Sequence, residues 1–202
     1  MGDQAAAAAA AIDAFLRALG HDPAREPALR GTGARVAALY RDELLDGTRA
    51  DLDALFADAI PCAAGAQVVA VRGLATHVVC PHHLTLGAGR ADVAYLPGDR
   101  VLGLGAIARI VDAFAHRLAL QEDVGRDVAR AFVDRLGARG AACVLRLRHG
   151  CLTHHDVQQR GASVTTIALA GSCADGPDRA LALEALRAEA APRRRKTTGA
   201  AR

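Results

Sequence analysis

The chain has 202 residues, with 25 basic and 22 acidic side chains and a formal net charge of +3. This length suits one domain with a substantial core, and a content of 51% hydrophobic and 23% charged residues argues against wholesale disorder. Aromatic residues make up only 3%, which argues against a single-strand nucleic-acid binder that stacks bases on aromatic side chains. Among the basic residues, only Lys196 is lysine.

The sequence predicts neither a membrane span nor an export signal. The alanine-rich stretch over residues 5–12 is short, weakly hydrophobic and ended by Asp13, and no basic residues precede it. We therefore expect a cytoplasmic protein. In that compartment the five cysteines stay reduced, and they serve as metal ligands or core residues rather than as disulfides.

The first predicted elements are helices. Residues 5–19 form an alanine-rich helix that Gly20 ends, and apolar residues at helical spacing predict further helices over 33–45 and 52–59. The composition of the sequence changes after Pro61, where valine-rich runs predict strands. These strands cover residues 67–71, 75–79 and 90–96, with turns between them.

The second half of the chain alternates between the two kinds of element. Two helices, two strands and a last amphipathic helix are predicted in the order 106–118, 122–136, 142–148, 163–169 and 178–190. This order predicts an α+β fold with an antiparallel sheet. We divide the chain into a helical region over 1–60, a main domain over 61–191, and a basic, disordered tail over 192–202.

Two clusters of cysteine and histidine carry the strongest chemical signal. The sequence Cys-Pro-His-His at 80–83 directly follows one predicted strand, and His-Gly-Cys at 149–151 directly follows another. An isolated cluster of this kind would indicate a buried core thiol. Two clusters that each close a strand favour a metal site, with Cys80, His83 and Cys151 as ligands. Two thiolates and one imidazole suit zinc, and a fourth position left open to water makes the zinc catalytic.

Two further histidines lie beside the predicted ligands. His82 and His149 are able to move protons near neutral pH. A bound zinc ion lowers the pKa of its water ligand to about 7, which supplies a nucleophile for attack on an electrophilic carbon.

The motifs together, in their order along the chain, resemble the GTP cyclohydrolase I family. The resemblance extends from about Arg30 to Gly171. The residues that carry it are Cys80-Pro81-His82-His83, Val93-Ala94-Tyr95-Leu96-Pro97, Val101-Leu102-Gly103-Leu104, Ile107-x-Arg109-Ile110-Val111, Gln121-Glu122 and His149-x-Cys151.

This resemblance implies a tunnelling fold (T-fold) for the catalytic domain over 61–191, preceded by the helical extension. In such proteins antiparallel sheets from several subunits close into a barrel, with helices packed on one face. The family typically forms a toroidal homodecamer with active sites at subunit interfaces, so that neighbouring subunits cover the edge strands. We expect no nucleic-acid or membrane partner.

The resemblance also implies roles for individual residues. Cys80, His83 and Cys151 would hold Zn²⁺, while His82 and His149 would be the catalytic acid–base pair. The positions that match substrate-binding residues are Gln121 and Glu122 for the guanine edge, and Arg35 and Arg109 for the phosphates. His154 and His155 lie where the family has a phosphate-binding run, and we include them as candidate substrate contacts.

Several positions depart from the family pattern. Two lysines that bind phosphate are replaced by Ala38 and Ala106, an arginine position holds His155, and the serine near the ribose is Gly105. Each lost charge-assisted contact to phosphate is worth on the order of 1.5–3 kcal/mol. Three such losses would weaken binding of a triphosphate.

Three hypotheses of function remain open at this stage. The first is a hydrolase that converts GTP to 7,8-dihydroneopterin triphosphate and formate, for pterin or folate biosynthesis. The second is a specialised paralogue that acts on a guanine compound with fewer or no phosphates and stops at a ring-opened or deformylated pyrimidine. The third is a catalytically silent T-fold protein that binds a purine.

Overall fold

The structure is a computed structural model that describes residues 2–63, 68–155 and 157–187. Its first part is helical: α1 (Gly2–Ala18), α2 (Thr32–Leu39) and α3 (Leu52–Ala57) confirm the three helices predicted there. Helix α2 continues into a wider π-helical turn, Tyr40–Leu44, and a 3-10 turn, Asp46–Arg49, leads on toward α3.

Helices α1 and α2 cross at a glycine. A Cβ atom at Gly33 would lie only 2.4 Å from the carbonyl oxygen of Ala9, so no larger residue fits between the two backbones. The Gly33 N–H donates to the carboxylate of Asp13 at 3.1 Å, which adds a polar contact to the crossing. Helix α3 then brings Phe56 into the core, where its ring meets Phe132 edge to face.

One antiparallel sheet of four strands forms the centre of the molecule. Its strands are β2 (Val69–Val79), β3 (Leu86–Leu96), β5 (Gly140–His149) and β6 (Val164–Gly171), in the spatial order β2-β3-β5-β6. Two very short strands, β1 (Ile60–Pro61) and β4 (Arg100–Val101), pair separately. The α+β architecture with an antiparallel sheet, predicted from the order of elements, is confirmed.

The prediction of two strands separated by a turn over 67–71 and 75–79 is wrong. The structure has the single strand β2 here, and its pairing with β3 shifts between Val71 and Leu74. Gly73 has φ +72° in this bulge, a left-handed conformation that glycine adopts without strain. The extra residue bends the strand without ending it, because the carboxylate of Asp92 accepts a hydrogen bond from the Gly73 N–H.

The main helices cover one face of the sheet. Helices α4 (Leu104–Ala115) and α5 (Gln121–Asp134) confirm the two predicted helices and pack on this face around the buried Tyr95 and Phe132. Two one-turn helices, α6 (Gly150–His154) and α7 (Ser172–Asp175), were not predicted.

The prediction of helices on one face needs a correction. Helix α8 (Asp178–Arg187) packs on the opposite face, over one end of the sheet. It does so because both faces are apolar at that end, where Ala94, Leu96 and Val144 meet Ala182 and Leu186. Predicted residues 188–190 of this helix, and the basic tail over 192–202, lie outside the described residues. No helix in the described ranges is long and apolar enough to cross a membrane.

His116 joins the N-terminal region to the end of α4. Its Nδ1 atom lies 2.7 Å from the carboxylate of Asp46, and its Nε2 atom lies 3.3 Å from that of Asp112. Burial lowers the pKa of His116, but the two carboxylates outweigh burial and raise it above its usual value. His77 stacks on this ring at 3.8 Å, and burial followed by the charge of His116 lowers the pKa of His77.

We expect His116 to make folding stability depend on pH. A raised pKa in the folded state stabilises the fold fully below the unfolded value of about 6.5, and this stabilisation is lost as pH rises through the folded pKa. The His116→Gln variant should therefore be less stable than the parent at pH 5.5, with a difference that shrinks toward pH 9. Urea unfolding across this range measures the effect, and the exposed His21→Gln is the control. A difference that is constant with pH would contradict the prediction.

Candidate functional site

The three predicted metal ligands come together at one end of the sheet. The ligand atoms of Cys80, His83 and Cys151 all lie within 4.8 Å of one another, and the described residues hold no other such cluster of three. The Cys80 Sγ atom is 3.7 Å from His83 Nδ1. In a tetrahedral zinc site, ligands at about 2.3 and 2.0–2.1 Å from the ion are roughly 3.6 Å apart. The donor set and its spacing therefore fit zinc.

Backbone hydrogen bonds stabilise the turn that carries Cys80 and His83. The Leu84 N–H donates to the carbonyl oxygen of Cys80, and the Cys80 N–H donates to that of Thr85, both at 2.9 Å. Leu84 takes φ +52°, a left-handed conformation that is costly for a branched side chain. The Tyr40 hydroxyl donates to the Leu84 carbonyl at 2.6 Å, so a residue of the N-terminal region fixes the strained turn.

The third ligand arrives on a different segment. Strand β5 ends at His149, and the one-turn helix α6 starts at Gly150, which directs Cys151 back toward the turn. A Cβ atom at Gly150 would lie 3.1 Å from that of Thr85. The absence of a side chain therefore lets the two ligand segments approach closely.

Gln121 holds the catalytic candidate His149. Its amide oxygen lies 2.7 Å from Nε2 of His149. The two hydrogens of its amide nitrogen are shared among three acceptors at 3.0–3.1 Å, the carbonyl oxygens of Leu145 and Val164 and the hydroxyl of Thr166. Because an amide oxygen only accepts, Nε2 carries the hydrogen and Nδ1 keeps its lone pair. Burial lowers the pKa of His149, against a smaller opposing effect of the Glu122 carboxylate.

A glycine makes room for the ring of His149. Gly87 is the partner of His149 across strands β3 and β5, and a Cβ atom there would lie 2.6 Å from both Nδ1 and Cε1 of the imidazole. Any side chain at residue 87 would displace the ring or the strand. Together with Gln121, which is only 2% exposed, Gly87 fixes where the imidazole lies.

These residues surround one cavity of about 220 Å³. Its lining brings together the thiols of two predicted metal ligands, both histidines predicted to move protons and the predicted guanine-binding pair. These residues are Cys80, Cys151, His82, His149, Gln121 and Glu122. His82 and Glu122 are exposed, whereas Gln121 is buried in hydrogen bonds to protein groups. Among the described residues, Glu122 is therefore the member of the pair whose side chain is exposed to the cavity.

The remaining predicted substrate contacts are more scattered. The His155 ring lies 5.0 Å from that of His83, next to the metal group, and His154 Nδ1 lies 2.7 Å from the Thr153 hydroxyl. Arg109 lines a different cavity, with Asp112 and His116. Arg35 lies on α2, where its guanidinium donates to the Arg30 carbonyl and the Thr32 hydroxyl. The described residues do not bring the two arginines to the cavity of about 220 Å³, which we call the zinc-site cavity after the predicted ion.

The roles of Tyr40 and Gly87 were not predicted from the sequence. Tyr40 lies 44 residues before its partner Leu84, and its spacing in the predicted helix over 33–45 is that of an ordinary apolar helix residue. The glycine at 87 falls just before a predicted strand that in fact starts at Leu86. A glycine inside a strand indicates that another group approaches the backbone closely. Because the predicted strand began only at residue 90, Gly87 lay outside it and gave no such indication.

We expect Tyr40→Phe to weaken zinc binding without unfolding the protein. Loss of one hydrogen bond costs about 0.5–1.5 kcal/mol, so the dissociation constant for zinc should rise roughly 2- to 10-fold. Competition with a chromophoric chelator measures it. Tyr95→Phe, at the other tyrosine of the chain, is the matched control: its hydroxyl accepts from the Leu102 N–H in the core, so it should lower stability and leave zinc affinity unchanged. Equal effects of both variants on zinc affinity would contradict the assignment.

Comparisons with known proteins identify the family of this chain. The GTP cyclohydrolase I family profile matches residues 8–187. The GTP cyclohydrolase 1 of Leifsonia xyli subsp. xyli is 40% identical over 172 residues, which cover 85% of this chain and 89% of that protein. The GTP cyclohydrolase 1 of Alkalilimnicola ehrlichii is 37% identical over 168 residues, 83% of this chain and 90% of that protein.

One solved structure is also similar. The archaeosine synthase QueF-Like in the apo form covers 53% of this chain and 96% of its own, at 19% identity and a TM-score of 0.44. The assignment to a family rests on the sequence matches, which span most of the chain and include the positions of the cysteine–histidine clusters. On this evidence the chain belongs to the GTP cyclohydrolase I family, a family of hydrolases.

Proposed function

We propose that this protein is a zinc-dependent GTP cyclohydrolase I, which adds water at C8 of GTP, opens the imidazole ring and releases formate on the way to 7,8-dihydroneopterin triphosphate. The observation that carries the proposal is the cavity of about 220 Å³ that joins the metal-binding thiols, His82, His149 and Glu122. The relatives named above are GTP cyclohydrolases, and their names do not support a guanine compound with fewer phosphates or a silent purine binder.

Cys80, His83 and Cys151 would hold the zinc ion. When bound there, zinc supplies Lewis acidity that activates a water molecule near neutral pH. A ligand set of three protein side chains leaves a fourth position toward the cavity, as catalytic zinc sites require. The fixed turn around Leu84 and the glycine contact at Gly150 hold the ligand segments before the metal binds.

The two histidines are the acid–base groups in this proposal. Gln121 keeps the hydrogen of His149 on Nε2, so Nδ1 is the atom able to accept a proton from water or deliver one to a purine nitrogen. His82 lies on the exposed side of the same cavity, and its ring centre is 6.2 Å from that of His83. Two groups at different depths suit a reaction that both adds water and breaks a carbon–nitrogen bond.

Glu122 is the proposed guanine-binding group. It lies in the first turn of α5, exposed on the cavity wall, where its carboxylate is able to accept hydrogen bonds from guanine N1–H and the exocyclic amine. Adenine offers no donor at N1, so a carboxylate in this place discriminates between the two purines. Gln121 contributes to the same site from behind, through its hydrogen bond to His149.

We also propose a toroidal homodecamer with active sites between subunits. Arg35 and Arg109 lie away from the zinc-site cavity of their own subunit, which is expected when phosphate contacts come from a neighbour. Strand β6 is an edge of the described sheet and exposes Ile167, a feature of edges that other chains cover. Light scattering coupled to gel filtration should give the mass of ten chains, and a monomeric peak that is fully active would contradict an interfacial site.

The zinc mechanism is tested by removal of one ligand. Cys151→Ala should lose both stoichiometric zinc and formate release from GTP, because two remaining ligands hold the ion weakly. The half-buried Cys62 lies outside the metal group, and Cys62→Ala should keep both. Formate release, with products identified by mass, is compared for GTP, GMP and guanosine. Turnover by a metal-free Cys151→Ala protein would refute the zinc mechanism, and a preference for guanosine would refute GTP as the substrate.

Gln121 should affect turnover more than substrate binding. In Gln121→Leu the imidazole of His149 loses its partner and its fixed tautomer, so kcat should fall about 10- to 100-fold while KM for GTP changes less. Gln121→Glu, which again offers an acceptor to Nε2, should restore part of kcat. The exposed Gln4→Leu is the control and should change neither constant. A rise in KM with kcat unchanged would instead make Gln121 a direct guanine contact.

A further inference from the structure

The face of the sheet opposite α4 and α5 carries a second, larger cavity of about 920 Å³. We call it the arginine face, because five guanidinium groups line it: Arg72, Arg90, Arg146, Arg148 and Arg187. It shares no lining residue with the zinc-site cavity. The alternation of strand β5 separates the two sites, since Arg148 and its neighbour His149 line different cavities.

The charge of this face is strongly unbalanced. Asp92 is the one acidic residue in its lining, and it is already engaged by the Gly73 N–H at 2.6 Å and by the guanidinium of Arg146. No ion pair of Arg72, Arg90 or Arg148 occurs within the described ranges. Three of the four arginines on the strands therefore have no counter-charge from the described part of the chain.

The register of the sheet places like charges opposite each other. Arg90 on β3 is the direct partner of Arg146 on β5, and Arg148 follows two residues further along the same strand. Like charges directly opposite on an antiparallel pair destabilise the pairing. A bound anion that bridges them would turn this repulsion into attraction. The sheet fixes the spacing of the backbone positions that carry these guanidinium groups.

Several small residues lie between these arginines. Ala70, Gly73, Ala88 and Gly89 line the same cavity, so these four positions add little bulk beside the guanidinium groups. A Cβ atom at Gly73 would lie 3.6 Å from Nη1 of Arg90, which places the open bulge beside that charge. Arginine binds phosphate oxygens in bidentate fashion, which lysine does not, and every basic residue here is arginine.

We propose that the arginine face is a binding site for a phosphate chain, such as inorganic tripolyphosphate or the triphosphate of a nucleotide. A chain of three phosphates carries several negative charges over a short length, which matches guanidinium groups on neighbouring strand positions. The site does not depend on zinc or on the proposed catalytic activity. Binding there is electrostatic, and it weakens as salt rises.

Calorimetric titration with inorganic tripolyphosphate tests the site in the full chain. The zinc-free Cys151→Ala protein is used, so that turnover does not contribute, at low salt and at about 0.5 M salt. The test variant is Arg72→Ala/Arg90→Ala, which breaks no ion pair found in the described ranges. Loss of two guanidinium groups should raise the dissociation constant at least about tenfold. Arg90→Lys, which keeps the charge, should lose only part of the affinity.

The matched control removes the same charge elsewhere. Arg126→Ala/Arg130→Ala lies on the exposed side of α5 and should change the dissociation constant less than twofold. Because guanosine triphosphate also has a proposed site at Glu122, a nucleotide triphosphate is identified as a ligand of the arginine face if Arg72→Ala/Arg90→Ala binds one molecule fewer than the protein that keeps both arginines. Equal losses in the test and control variants, or no binding to the parent at low salt, would overturn the proposal. Thermal melting of each variant checks that it remains folded.

Discussion

The pairing of β3 with β5 is the constraint on which the rest of the structure depends. Ten residue pairs run without interruption from Gly87 opposite His149 to Leu96 opposite Gly140. This register puts the end of β5 beside the start of β3, and hence beside the turn that carries Cys80 and His83. A slip by one residue would turn His149 to the other face of the sheet and would separate the thiols.

Two glycines allow the candidate site residues to lie close together in this register. Gly87 gives space to the imidazole of His149, and Gly150 lets the segment of Cys151 approach Thr85. At Leu84, by contrast, a residue with a branched side chain takes a strained left-handed conformation, and the hydroxyl of Tyr40 holds it there. The candidate metal ligands are thus positioned by close backbone approach at Gly150 and by the long-range hydrogen bond from Tyr40 to Leu84.

The two faces of the sheet carry different groups of polar side chains. Alternate residues of β5 point to the core with α5 and to the arginine face, so one strand supports both the buried network around Gln121 and an exposed row of cations. The scarcity of lysine bears on the proposed phosphate site. The body of the chain uses arginine alone for its positive charge, and on the arginine face this choice suits planar, bidentate contacts to phosphate.

The sequence by itself indicated most of the longer helices and strands, the group of Cys80, His83 and Cys151 as candidate metal ligands, and the family. Helical spacing, valine-rich runs and the clusters at 80–83 and 149–151 are local signals, since they depend on residues close together in the chain. It did not reveal that β2 continues through Gly73, that α8 covers the second face, or that Tyr40, Gly87 and Gln121 hold the site. These features join residues tens of positions apart, and a hydrogen bond or a steric limit across such a distance exists only after the sheet has set its register. Tertiary structure alone decided them.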